Sequence, residues 1–146
     1  MKIFIGSDHA GFELKEKLIQ FLLDQNFEVV DKGAFQLNPT DDYPDFVIPV
    51  AEEVSKDSNS KGIVLGGSGE GEAIATDRFP HVRTAVWYGG NLEPLRLSRE
   101  HNDANILSIG ARFVSEEEAK EAVSLWLETP FSGDERHVRR ISKLDI

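Results

Sequence analysis

Short apolar runs and longer stretches with helical spacing take turns along almost the whole chain. Residues 2–6 form a compact apolar run that predicts a buried strand. Phe12, Leu14, Leu18, Ile19, Leu22 and Leu23 then recur at the three- and four-residue steps of a helix. Residues 28–31 predict a second strand, and the Gly, Asn, Pro and Asp residues between 33 and 42 predict a loop. Phe46, Val47, Val50, Ala51 and Val54 share a helical face, with Pro44 suited to a first turn. Strands over 62–65, 84–88 and 106–109 alternate with helices over 73–78, 95–102 and 116–127, the last clearly amphipathic. After Pro130 the chain turns polar, with a further helix from Asp134.

Strands separated by helices pair in parallel through right-handed crossovers, and the helices then cover both faces of the sheet. The expected fold is therefore α/β: a three-layer, doubly wound, Rossmann-like sheet of about five parallel strands with a C-terminal tail or helix. No repeat, low-complexity segment or composition break interrupts it, which predicts one domain over residues 1–146. Such sheets bind ligands at the carboxyl ends of their strands. That draws attention to Ser7-Asp8-His9, the loop 66–72, Tyr88-Gly89-Gly90 and Gly110-Ala111-Arg112, a polar and glycine-rich collection.

Charge narrows the ligand. A net charge of −10 argues against nucleic acid or an anionic membrane as a partner, so an anion must be held where the few basic residues gather. The absence of cysteine excludes disulfides, thiolate metal sites and cysteine nucleophiles, and fits a reducing cytoplasm. The N-terminal apolar run is too short for a signal peptide, so a cytoplasmic protein is expected.

Four glycines among residues 66–71 let the backbone approach a ligand and turn several N–H groups toward one oxygen. Gly66 and Gly71 have P-loop spacing, but Glu72 stands where that loop needs lysine, and neither the dinucleotide fingerprint nor the nucleophile elbow fits. An anion-binding loop followed by a carboxylate suits proton abstraction beside a carbonyl, with the amides holding the enediolate oxygen. Glu72 reads equally well as a first-turn glutamate favoured by the helix dipole. His9 and His101 lie at predicted element ends, where imidazole could shuttle a proton near neutral pH or simply cap a helix. Arg136 and Arg140 are one helical turn apart and Arg112 follows the fifth strand. These three could clamp a phosphate, or the first two could form a solvated basic face.

Taken in order, Gly6 to Phe12, Asp42-Tyr43-Pro44, Gly66 to Glu72, Ser98 to Asn105, Gly110-Ala111-Arg112 and Arg136 to Arg140 resemble the ribose-5-phosphate isomerase B family, which includes allose- and galactose-6-phosphate isomerases. The resemblance covers nearly the whole chain. It implies that Asp8, His9 and Tyr43 line a sugar-phosphate site and that Gly67, Ser68, Gly69, Glu70 and Gly71 form an anion hole. It further implies that His101 opens the sugar ring, Asn102 binds a hydroxyl, and Arg112, Arg136 and Arg140 bind the phosphate. Many members carry a catalytic cysteine in the glycine loop, whereas a second branch uses a glutamate just after it, which Glu72 matches. The expected activity is interconversion of D-ribose 5-phosphate and D-ribulose 5-phosphate, with another sugar phosphate or a non-catalytic sugar-phosphate binder as alternatives. No metal or organic cofactor is expected. In the family the C-terminal arginines serve a neighbouring subunit, so a homodimer, or a tetramer built from it, is implied, with residues 130–146 packing on the partner.

Overall fold

A computed structural model describes residues 1–146. Five strands form one parallel sheet: β1 (Lys2–Ser7), β2 (Glu28–Asp31), β3 (Lys61–Gly66), β4 (Thr84–Trp87) and β5 (Ile106–Gly110), in the order β2-β1-β3-β5-β4. Six helices accompany them: α1 (Phe12–Asp24), α2 (Pro44–Lys56), α3 (Glu70–Thr76), α4 (Glu93–Glu100), α5 (Glu116–Glu128) and α6 (Glu135–Ile141). No helix is long and apolar enough to cross a membrane.

The two-residue alternation of the strands divides the core into two layers. Ile3, Ile5, Ile63, Leu65, Leu107 and Ile109 face α1, α4 and α5, where Leu18, Leu22, Leu95, Val123 and Trp126 complete the larger cluster. Phe4, Val64 and Ile106 face α2, meeting Val47, Val50, Ala51 and Val54. Both tryptophans, Trp87 and Trp126, are buried in the first layer. Gly11 packs where a Cβ would stand 2.6 Å from that of Leu65, which brings the start of α1 close against β3.

From β1 the chain passes to β2 on one side and then crosses to β3 on the other, so the strand order reverses between β1 and β3. Register sets the strand ends level there: Ser7 lies opposite Leu65, and Gly66 opposite Gly110. The segments beginning at Asp8, Gly67 and Ala111 therefore emerge side by side.

Two helices start earlier than their spacing predicts. α3 begins at Glu70 rather than 73 because Gly69, at φ 85°, makes a left-handed turn straight into it, and Glu70 and Glu72 sit in the first turn where the dipole favours carboxylates. α4 spans Glu93–Glu100 rather than 95–102, since Pro94 suits a first turn, and His101 is its C-terminal cap. α5 opens on a capping box in which Ser115 and Glu118 satisfy each other's backbone N–H groups.

Candidate active site

At the β1/β3 reversal lies an open cavity of about 410 Å³ lined by residues of four segments: Asp8, His9, Tyr43, Gly67, Ser68, Gly71, Glu72 and Arg112 among them. Eight residues singled out from sequence thus converge on one cleft. Glu72 is its most buried acid, only 4 % exposed, and its carboxylate fills the space a side chain at residue 66 would need. Burial pushes the Glu72 carboxyl above the ordinary glutamate value; backbone N–H groups of Glu72 and Gly69 pull it partly back, and the nearby Asp8 carboxylate raises it again.

The loop around Glu72 is braced on several sides. Ser108 Oγ donates to the Gly69 carbonyl at 2.6 Å, the Arg112 N–H donates to the Gly67 carbonyl at 3.2 Å, and Ser68 Oγ accepts from the Glu70 N–H at 3.2 Å. Gly71 is needed for space: a Cβ there would stand 2.8 Å from Cζ of Tyr43, whose ring rests on the first turn of α3. The Arg112 guanidinium lies over Gly67, where a Cβ would be 3.1 Å from Nη1. A recessed carboxylate, glycine amides and an exposed guanidinium therefore share one cleft. Glu70 is exposed at the start of α3 and does not line it.

Gly66 yields a direct test. Gly66→Ala must displace the Glu72 carboxylate, and misplacement by about 1 Å costs on the order of 10²-fold in rate. The variant is expected to remain folded by circular dichroism while its turnover falls by about that factor.

His101, Asn102 and Arg140 do not reach this cleft within the chain. α4 runs back from the carboxyl end of β4 to the start of β5, so its C-terminus lies at the amino ends of the strands. There the Asn105 N–H donates to the Arg83 carbonyl, and the Asn105 carbonyl accepts from Gly62. His101, Asn102, His137 and Arg140 line a separate hollow of about 210 Å³. The His101 and His137 rings stack there with centroids 4.4 Å apart. Burial, then the neighbouring His101 and Arg136, hold His137 below the ordinary histidine value. Arg136 contacts His137 through Nε at 3.3 Å and is otherwise exposed on α6. A third hollow, about 420 Å³, holds Lys56, Lys61 and Arg83; its His81 and Asp103 are paired with Asp145 and Arg99, and Arg83 is occupied by the carbonyls of Asn102 and Asp103.

Sequence reasoning missed Asp41. It lies in the loop after β2, where no periodicity marks a residue, and its carboxylate binds His9 at the rim of the cleft. Ligand atoms of Asp8, His9 and Asp41 lie within 4.8 Å of one another, close enough to share a divalent cation, although the Asp41 hydrogen bond already occupies Nδ1 of His9.

The sequence pattern of the Ribose/Galactose Isomerase family matches residues 3–144. A ribose-5-phosphate isomerase B of Mycolicibacterium paratuberculosis is 44% identical over 144 residues, covering 99% of this chain and 89% of the relative. The Escherichia coli ribose-5-phosphate isomerase B is 38% identical, covering 98% and 93%. The crystal structure of the Mycoplasma genitalium ribose-5-phosphate isomerase B with bound ribulose-5-phosphate superposes with a TM-score of 0.93 at 38% identity, covering 98% of this chain and 93% of that one. The Clostridium thermocellum enzyme superposes at 0.92 with 44% identity, covering 99% and 95%. With pattern, sequence and fold agreeing over nearly its full length, this chain belongs to the ribose/galactose isomerase family.

Proposed function

We propose that this chain is a cofactor-independent aldose–ketose isomerase that interconverts D-ribose 5-phosphate and D-ribulose 5-phosphate, with Glu72 as the base. The observation that carries the proposal is the seat of Glu72: a recessed carboxylate of raised proton affinity, at the first turn of a helix whose glycine loop opens on the same cleft. Proton abstraction from carbon needs a base held close to the substrate and fixed dipoles at the developing oxyanion.

In the aldose-to-ketose direction, the opened sugar presents its C2–H to Glu72. The carboxylate takes that proton, the electron pair forms the C1–C2 double bond, and the charge moves to O1, where the amides of the 67–71 loop that line the cleft receive it. The hydroxyl proton passes from O2 to O1, and Glu72 returns its proton to C1, leaving a ketone at C2. Asp8, His9, Tyr43 and Ser68 hold the chain of hydroxyls, and Arg112 binds the phosphate.

The proposal extends to the assembly. Ring opening by His101, hydroxyl binding by Asn102 and phosphate binding by Arg136 and Arg140 require that the hollow of a second copy close over the Glu72 cleft, with residues 130–146 packing on that partner. What supports this is the division of the expected site residues between two hollows at opposite ends of the strands, together with the family's use of a neighbouring subunit's arginines.

Conversion of D-ribose 5-phosphate to D-ribulose 5-phosphate by the purified protein tests the reading. Turnover is expected and is expected to survive chelation; loss on chelation would replace the carboxylate mechanism with a metal-assisted one. Activity only on six-carbon sugar phosphates would shift the substrate but keep the base, and no turnover on any would leave a binding module. The pH profile tests Glu72 separately. A base must be ionised, and this carboxyl holds its proton above the ordinary value of 4.5. The acid limb of kcat/KM is therefore expected to lie above pH 4.5, and a limb at or below that value would exclude Glu72.

A further inference from the structure

His9 is locked to the protein in an unusual way. Its backbone N–H and its ring Nδ1 both meet one oxygen, Oδ1 of Asp41, at 2.9 and 2.7 Å. The partner is 32 residues away in sequence and its side chain is only 7 % exposed. The other oxygen, Oδ2, is buried without any hydrogen-bond partner. Leaving a carboxylate oxygen unpaired in the interior costs free energy.

The loop that carries Asp41 is itself tied down. The Asp41 N–H donates to the Asn38 carbonyl, and at the loop's start the Ser7 N–H donates to the Gly33 carbonyl and the Ala34 N–H to the Ser7 carbonyl. The loop thus presents Asp41 beside the end of β1, where His9 follows Asp8. The only other carboxylate near Nδ1 is that of Asp8, 4.0 Å away and engaged by the Ala10 N–H.

We propose that Asp41 is a positioning residue that fixes His9 with a proton on Nδ1 and presents Nε2 to the substrate in the Glu72 cleft. A carboxylate accepts only, so the 2.7 Å contact requires a proton on Nδ1. His9 lines the cleft, and Nε2 is the one ring nitrogen left to meet a ligand there. This deepens the isomerase reading and rests on it for the identity of the substrate, whereas the Asp41–His9 lock stands without it.

Two measurements test it. Long-range nitrogen–proton NMR on histidine-labelled wild-type protein is expected to show a proton on Nδ1 of His9; a ring protonated on Nε2 alone overturns the assignment whether or not the protein is an isomerase. Kinetics on D-ribose 5-phosphate then compare Asp41→Ala with Asp41→Asn. Because both bonds converge on one oxygen, the asparagine carbonyl can keep both, while alanine keeps neither. Asp41→Ala is expected to raise KM by about 10-fold with kcat changed far less, as for a contact made equally in ground and transition states, and to lose the Nδ1–H preference. Asp41→Asn is expected to restore most of the affinity and the tautomer. Unchanged KM and tautomer in Asp41→Ala, or equal losses in both variants, overturn the proposal. Absence of turnover in the wild type overturns the isomerase reading instead, and the tautomer still decides for or against Asp41.

Discussion

Glu72→Gln is expected to lower turnover of D-ribose 5-phosphate by about 10²–10⁴-fold, the range a positioned general base supplies, while KM changes little. Glutamine has nearly the same volume, so the helix start, the Tyr43 packing on Gly71 and the seat over Gly66 all persist. Only the proton-accepting charge disappears. The same variant is expected to be more stable than wild type at neutral pH. The sign follows from the raised proton affinity of Glu72 in the folded chain. A carboxyl that binds its proton more tightly folded than unfolded favours folding below its unfolded value, and that contribution is lost as pH rises through the folded one. At pH 7 wild type therefore holds a desolvated charge that glutamine lacks. The gain in Tm is expected to shrink on acidification toward pH 4.5, where wild type becomes neutral as well. Lower activity and lower stability together would remove Glu72 from the base position and make it a structural carboxylate.

The second large effect is a recovery. Glu72→Gln and Arg140→Ala, each nearly inactive at substrate well below KM, are expected to regain about a quarter of wild-type activity when unfolded together and refolded as a mixture. In a two-fold dimer each subunit supplies one cleft and one hollow. Random pairing makes about half of the dimers mixed, and every mixed dimer contains one site with both Glu72 and Arg140 intact and one with neither. If the whole site belonged to one chain, mixing would return only the sum of the two residual activities. That outcome would sink the shared-site proposal while leaving Glu72 untouched.

Much of this architecture can be read along the chain because it depends on local periodicity. All five strands and the faces of α1, α2 and α5 follow from two- and three-to-four-residue spacing, and the resemblance singled out seven residues that share the cleft with Glu72: Asp8, His9, Tyr43, Gly67, Ser68, Gly71 and Arg112. The start of α3 is less legible, since four glycines mask a helix whose first residue is fixed by the left-handed turn at Gly69. The burial of Glu72 depends on empty space above Gly66, a tertiary fact with no local signature. Asp41 stays hidden for a related reason: its neighbour in sequence, Asp42, has the same chemistry, and only the path of the loop selects which of the two meets His9. The separation of His101 from Glu72 could have been anticipated. His101 precedes β5 rather than following a strand, and in a parallel sheet that places it at the amino end.

The placement of the two tryptophans has a practical optical consequence. Trp87 and Trp126 are the chain's only indoles, and both are buried in the layer of α1, α4 and α5, with the Arg99 guanidinium 5.8 Å from the Trp126 ring. Their emission therefore reports water entering that layer and is blind to the side covered by α2 and α3. Where fluorescence and far-ultraviolet dichroism melt together, the two layers unfold as one unit; where the dichroism moves first, the α2–α3 side loosens ahead of the layer that holds the indoles.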